Sequence, residues 1–150
     1  MLAPLFVLAS GCGTILIKGD VMRQSDGWTL VLQRLIDGPN QTGTGNTIYE
    51  PEPGQRFIHA WIKFKNDSPQ TRVFSYDACD LDMGDELLLP GVVIRYNGIA
   101  TEIKRNETYP PGDVSYRILT FSYPVGHLPT RLKCGLTTFE LPSPVPMHKA

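Results

Sequence analysis

The chain has 150 residues, enough for one domain with a proper core, and its 41% hydrophobic and 19% charged content is ordinary for a folded domain. The formal net charge is −1 with Lys and Arg scattered along the chain. No basic face is expected, and with it no nucleic-acid binding. Fourteen Gly and 13 Pro punctuate the sequence, as short strands joined by turns require.

The first segment reads as targeting rather than fold. Leu2 to Ala9 is a short apolar run followed by the small residues Ser10 and Gly11 and then Cys12. It is too short for a bilayer, which needs about 20 apolar residues, and fits the end of a signal peptide with its small-residue cleavage site. Ala9-Ser10-Gly11-Cys12 resembles the lipobox of bacterial lipoproteins. The resemblance implies a signal peptide over 1–11, a diacylated Cys12 as the new N-terminus, and a domain outside the cytoplasm, lipid-anchored to the cell envelope. Gly13 in place of Asp implies outer-membrane sorting in a Gram-negative cell. Two features depart from the pattern: Ala9 stands where Leu is usual, and no Lys or Arg precedes the apolar run, as a start codon lying upstream would explain. An ordinary secretory signal cut after Gly11, or a buried first strand, are the competing readings.

Residues 12–27 read as a lead-in, with a short strand at Thr14 to Lys18. Trp28 to Ile36 is the first strong strand, ended by Asp37-Gly38-Pro39, and the polar stretch Asn40 to Thr47 is expected to be a loop. Arg56 to Lys65 alternates: Ile58, Ala60, Ile62 and Phe64 point one way, His59, Trp61, Lys63 and Lys65 the other. Thr71 to Leu81 follows as a strand with Val73 and Tyr76 inward. Shorter strands are expected at Leu87 to Leu89, Val92 to Tyr96 and Thr101 to Lys104. Val114 to Tyr123 and Arg131 to Leu141 complete the set, and the Pro-rich tail 142–150 cannot extend it. No segment carries a sustained 3.6-residue apolar period. The expectation is an all-β antiparallel sandwich of about seven to nine strands over 28–141.

Three segments in order carry a family resemblance: Gly54 through Asn66, Cys79 through Glu86, and Pro111-Gly112 followed by Leu119-Thr120-Phe121-Ser122-Tyr123-Pro124. Together they resemble the immunoglobulin-like family called domain of unknown function 4352, common in bacterial lipoproteins, over about Trp28 to Phe139. The resemblance implies an immunoglobulin-like β-sandwich and an envelope location. It implies no activity.

With Cys12 assigned to lipid, Cys79 and Cys134 remain as an even pair in an oxidising compartment, and a disulfide is expected. Two separate buried thiols are the alternative. The acidic run Asp77, Asp80, Asp82, Asp85 and Glu86 offers oxygen ligands of the kind calcium takes, although Asp80-Leu81-Asp82-Met83-Gly84 lacks the third Asp or Asn of a calcium loop. A solvated turn is the simpler reading. His59, His127 and His148 lie on three different elements, no Cys-x-x-Cys occurs, and no Gly-x-Ser-x-Gly elbow is present, so no enzyme is expected.

Phe57, His59 and Trp61 share the outer parity of their strand. They form a candidate partner-binding patch unless a neighbouring loop or the second sheet covers them. The functional expectation is a lipid-anchored module that binds another envelope component, a protein; a calcium-stabilised envelope domain is the alternative.

Overall fold

The computed structural model describes residues 13–44, 47–96 and 100–142. Cys12, the signal segment before it and the tail from residue 143 lie outside the described residues.

Strands β1 (Thr14–Ser25) and β2 (Trp28–Asp37) form a hairpin closed by Asp26-Gly27, whose φ values are 52° and 78°. A two-residue turn with positive φ at both positions matches the twist of the strands it joins. The short strand expected at Thr14 to Lys18 is the start of a longer one, so most of the expected lead-in before Trp28 is paired strand. The sequence shows only its start because β1 is an edge strand with mostly exposed side chains, so its structure comes from backbone pairing to β2 and leaves little hydrophobic alternation to read.

Strand β2 buries Leu30, Leu32 and Leu35, a spacing that breaks the two-residue period. A bulge between Leu32 and Arg34 absorbs the extra residue, Gln33, and keeps all three leucines on the inner face. β1 carries its own register shifts, between Ile15 and Ile17 and between Lys18 and Val21.

The polar stretch expected as a loop folds into a small hairpin of β3 (Thr42–Thr44) and β4 (Thr47–Tyr49). Gly43 is required there: its φ is 139°, and a Cβ would lie 2.0 Å from the Thr47 carbonyl oxygen. β5 (Gln55–Asn66) is the strand that the alternation predicts, with Ile58, Ala60, Ile62 and Phe64 completely buried.

The single strand expected over Thr71 to Leu81 is two. β6 (Arg72–Ser75) ends in a 3₁₀ turn at Tyr76–Ala78, and β7 (Cys79–Asp82) then joins a different sheet. Phe74 and Tyr76 point inward while Val73 is exposed, the reverse of the expected facing for Val73. The remaining strands are β8 (Leu87–Leu88), β9 (Val92–Arg95), β10 (Thr101–Glu102), β11 (Asn106–Tyr109), β12 (Val114–Pro124), β13 (Arg131–Cys134) and β14 (Thr137–Glu140).

These elements make an antiparallel β-sandwich. One layer is a six-stranded sheet in the order β1-β2-β5-β12-β9-β10. The other combines the pair β11-β6 with the four-stranded sheet β14-β13-β7-β8. The core joins Leu32, Ile62, Phe64, Leu119 and Phe121 of the first layer to Phe74, Tyr76, Leu81, Leu132 and Phe139 of the second. Phe64 makes tilted and edge-on ring contacts with Phe74 and Tyr76 at 5.0 and 5.3 Å. The described residues hold fourteen strand segments, more than the seven to nine expected, because long strands are interrupted and very short ones added.

A polar network also crosses the core. Arg117 donates through Nε and Nη2 to the two Glu107 oxygens at 2.8 and 2.9 Å. The Tyr76 hydroxyl donates to the same carboxylate and lies 2.6 Å from the Tyr109 hydroxyl, which also meets Ser115. Among the described residues no buried side-chain nitrogen or oxygen lacks a partner, so this network does not leave the uncompensated charge that makes core ion pairs costly.

Candidate functional site

The structure sorts the candidate residues of the sequence into three groups. Cys79 and Cys134 face each other across β7 and β13 and form a disulfide, with Cα atoms 3.9 Å apart. Both are buried in the core, so the bond ties two neighbouring strands from within.

The acidic residues of the turn, the calcium alternative, are not gathered together: among the described residues no group of three or more His, Cys, Asp or Glu is placed to hold an ion. The cause is register. Asp80 pairs with Lys133 and Asp82 with Arg131 across the β7–β13 ladder, so each strand carboxylate already has a cation opposite. Asp82 contacts Arg131 at 3.5 Å and accepts the Gly84 N–H at 2.9 Å, closing the turn on itself. Asp85 and Glu86 point to solvent, and Asp77 is held by Arg105 at 2.5 Å. Partial burial raises the Asp80 carboxyl, an effect that Lys133 opposes and Asp77 reinforces.

The outer-face patch is only partly available. Phe57 and His59 are buried, which corrects their expected role as partner-binding residues. The chain after β2 folds back over them. Gly38 donates to the Phe57 carbonyl at 2.8 Å, the Phe57 N–H donates to Asn40 Oδ1 at 3.0 Å, and His59 Nε2 lies 2.8 Å from the Pro39 carbonyl. A carbonyl only accepts, so Nε2 carries the proton and Nδ1 accepts from the Thr120 hydroxyl at 2.9 Å. Burial pushes the His59 imidazole below its ordinary value, against the raising effects of the Pro39 carbonyl and Asp37. His59 is therefore a clamp for the covering segment. Among the described residues its ring nitrogens bond to the Thr120 hydroxyl and the Pro39 carbonyl, not to the serine or carboxylate of a hydrolase dyad.

Trp61 remains accessible, and its neighbours define the candidate site. It stands opposite Arg34 of β2 and Ile118 of β12 in the sheet register. The Arg34 guanidinium carbon lies 4.8 Å from the indole centroid, and the Tyr96 ring packs tilted on the indole at 4.8 Å. Tyr96 continues edge-on to Tyr116 at 5.7 Å, with the Lys63 ammonium 5.9 Å above the Tyr116 ring.

The Tyr96 hydroxyl donates to Gln33, the residue extruded by the β2 bulge. Burial pushes this phenol up to about 12, with Tyr116 and Asp20 acting in the same direction and Arg34 against them. Beside this stack, the bulges of β1 and β2 open a groove of about 600 Å³, lined by Ile15, Lys18, Asp20, Gln33, Arg34, Trp61 and Tyr96. Gly19, with φ 105°, lets the β1 backbone take the bulged path.

A groove of this size is in the range of small-ligand and peptide sites, and its lining mixes the aromatic rings of Trp61 and Tyr96 with the polar side chains of Lys18, Asp20, Gln33 and Arg34. Of its residues, sequence reasoning singled out only Trp61. The bulges that gather the rest leave no period in the sequence. The usable signals were Asp26-Gly27, which marks the β1–β2 hairpin, and the isolated Gly19 within an otherwise strand-like run.

No family model matches the chain, and no curated protein matches its sequence. Among solved structures, the chain is similar to an uncharacterized β-sandwich protein from Clostridium difficile 630. The two share 10% identity over 81% of this chain and 85% of that one, with a TM-score of 0.52. It is also similar to a functionally unknown protein from Listeria monocytogenes EGD-e, at 14% identity over 77% of this chain and 69% of that one, with a TM-score of 0.49. At these identities the first likeness speaks to fold alone, and the fold is a β-sandwich.

Proposed function

We propose that the chain is an exported, lipid-anchored immunoglobulin-like module of the domain of unknown function 4352 type, which binds a protein of the cell envelope and catalyses no reaction. The accessible groove at Trp61 carries the binding part of this reading. It is preformed, walled by aromatic residues, and bordered by charged groups that make no ion pair among the described residues. Aromatic and Arg side chains in a partly enclosed site are typical of recognition surfaces. The Cys79–Cys134 disulfide supports the exported location, because such bonds persist outside the reducing cytoplasm. The lipobox-like Ala9-Ser10-Gly11-Cys12 supports the anchor.

The test of the anchor is metabolic labelling with an alkyne fatty acid in a bacterial host, followed by membrane fractionation. The unmutated chain is expected in the membrane fraction with label attached, and Cys12→Ser is expected soluble and unlabelled. An unmutated chain that stays soluble and unlabelled contradicts the anchored reading.

A further inference from the structure

We propose that the bulged groove beside Trp61 binds a carboxylate side chain of an acidic peptide segment, with Arg34 and Lys18 as the carboxylate-binding residues. The inference rests on the binding-module reading and names the ligand chemistry of its site.

Lys18 and Arg34 are direct register partners on β1 and β2, so two cations stand side by side on one face. Like charges directly opposite each other weaken a sheet. Neither side chain forms an ion pair or a side-chain hydrogen bond among the described residues, whereas Arg56, Arg72, Arg105, Arg117 and Arg131 each have an acidic partner. Arg34 is nonetheless held in place, because its guanidinium lies on the Trp61 ring. A stacked guanidinium keeps its planar fork of donors ready for a bidentate acceptor, and the neighbouring ammonium adds a second charge.

Three further observations narrow the acceptor to a peptide carboxylate. Asp20 also lines the groove and makes no ion pair among the described residues. Its carboxylate can accept a backbone N–H from a peptide, which a phosphate does not offer. The chain's formal net charge of −1 supplies no wider positive field for a polyanion. A glycan, for its part, wants a free aromatic face, yet the Trp61 ring is already packed by Arg34 and Tyr96. Ile15, 53% exposed at the groove edge, and the Tyr96 ring offer apolar contacts to the residues flanking the ligand's carboxylate.

The test is a titration of the full chain carrying Cys12→Ser, followed by the indole N–H resonances of Trp61 and of buried Trp28 as internal reference. The probes are the acetylated, amidated pentapeptide Gly-Leu-Glu-Leu-Gly, its counterpart with glutamine for glutamate, and inorganic phosphate. The glutamate peptide is expected to move the Trp61 resonance saturably and leave Trp28 in place. The glutamine peptide is expected to bind at least about tenfold more weakly, and Lys18→Gln and Arg34→Gln each to weaken the glutamate peptide by about fivefold.

Both substitutions are at exposed positions, and an unchanged Trp28 resonance verifies that the variants fold. Equal binding of the two peptides, phosphate that binds as well as the glutamate peptide, or no movement of Trp61 overturns the assignment. If the peptides fail while crosslinks from the groove to an envelope component persist in cells, the ligand chemistry falls and the binding-module reading stands.

Discussion

Arg34 and Trp61 face each other across β2 and β5, the guanidinium carbon 4.8 Å from the indole centroid, one residue beyond the bulge that extrudes Gln33. The bulge makes this contact possible, since it restores Leu35 to the core side while leaving Arg34 on the outer face. A double-mutant cycle with Arg34→Ala and Trp61→Ala, read by urea unfolding, is expected to give a coupling of about 0.5–1 kcal/mol, the size of an exposed cation–π contact. Additive effects would mean that Arg34 is not held by the ring.

The Cys79–Cys134 bond closes a 55-residue separation from within the core. In the chain-entropy account, removing it with the pair Cys79→Ala and Cys134→Ala lowers stability by about 4 kcal/mol. The check is denaturant unfolding of the variant against the oxidised chain, and a difference under about 1 kcal/mol would show that the bond adds little.

His59 links stability to pH. Its folded pKa is depressed by burial, so the unfolded chain takes up a proton before the folded chain does. The sign follows: the contribution is fully present above the ordinary value of 6.5 and is lost as pH falls from there toward the folded pKa. The difference in stability between the unmutated chain and His59→Gln is expected to shrink as pH drops below 6.5. A difference that stays constant from neutral to mildly acidic pH would contradict this. The same protonation is expected to loosen the segment from Gly38 to Thr44, visible as faster amide exchange there.

The ion pair of Arg117 with Glu107 sits mostly inside the sandwich, with side chains 8% and 23% exposed. Arg117→Ala strands the Glu107 carboxylate together with Tyr76 and Tyr109, and a loss of about 2–4 kcal/mol is expected, reduced from a fully buried pair by the exposure of Glu107. Arg117→Met with Glu107→Leu is expected to recover much of that loss. Thermal unfolding of the three proteins decides it, and a double variant less stable than Arg117→Ala would contradict the account.

The sequence made the sandwich legible wherever a strand is half buried. The alternation of Ile58, Ala60, Ile62 and Phe64 identifies β5 because each inner position meets the second layer directly. It identified only the start of β1, at Thr14 to Lys18, because most side chains of that strand are exposed, and it missed the β3–β4 hairpin, where Gly43 is chosen for a close backbone approach and not for burial. Cys79 and Cys134 were legible through their number and the exported reading. The groove was legible only at Trp61: Phe57 and His59 share its parity, but parity says nothing about a segment folding back over two of the three. Tyr96 and Lys18 reach the groove through strand order and bulges, which are tertiary facts.

The claim that the groove is where this domain meets its partner is tested most directly by site-specific photo-crosslinking in intact cells. A photoreactive phenylalanine analogue replaces Ile15, at the groove edge, or Leu136, which is 76% exposed on the β13–β14 turn. The account predicts a discrete adduct with an envelope protein from position 15, abolished by Arg34→Glu, and none from position 136. No adduct from position 15, or the same adduct from both positions regardless of Arg34, would contradict it.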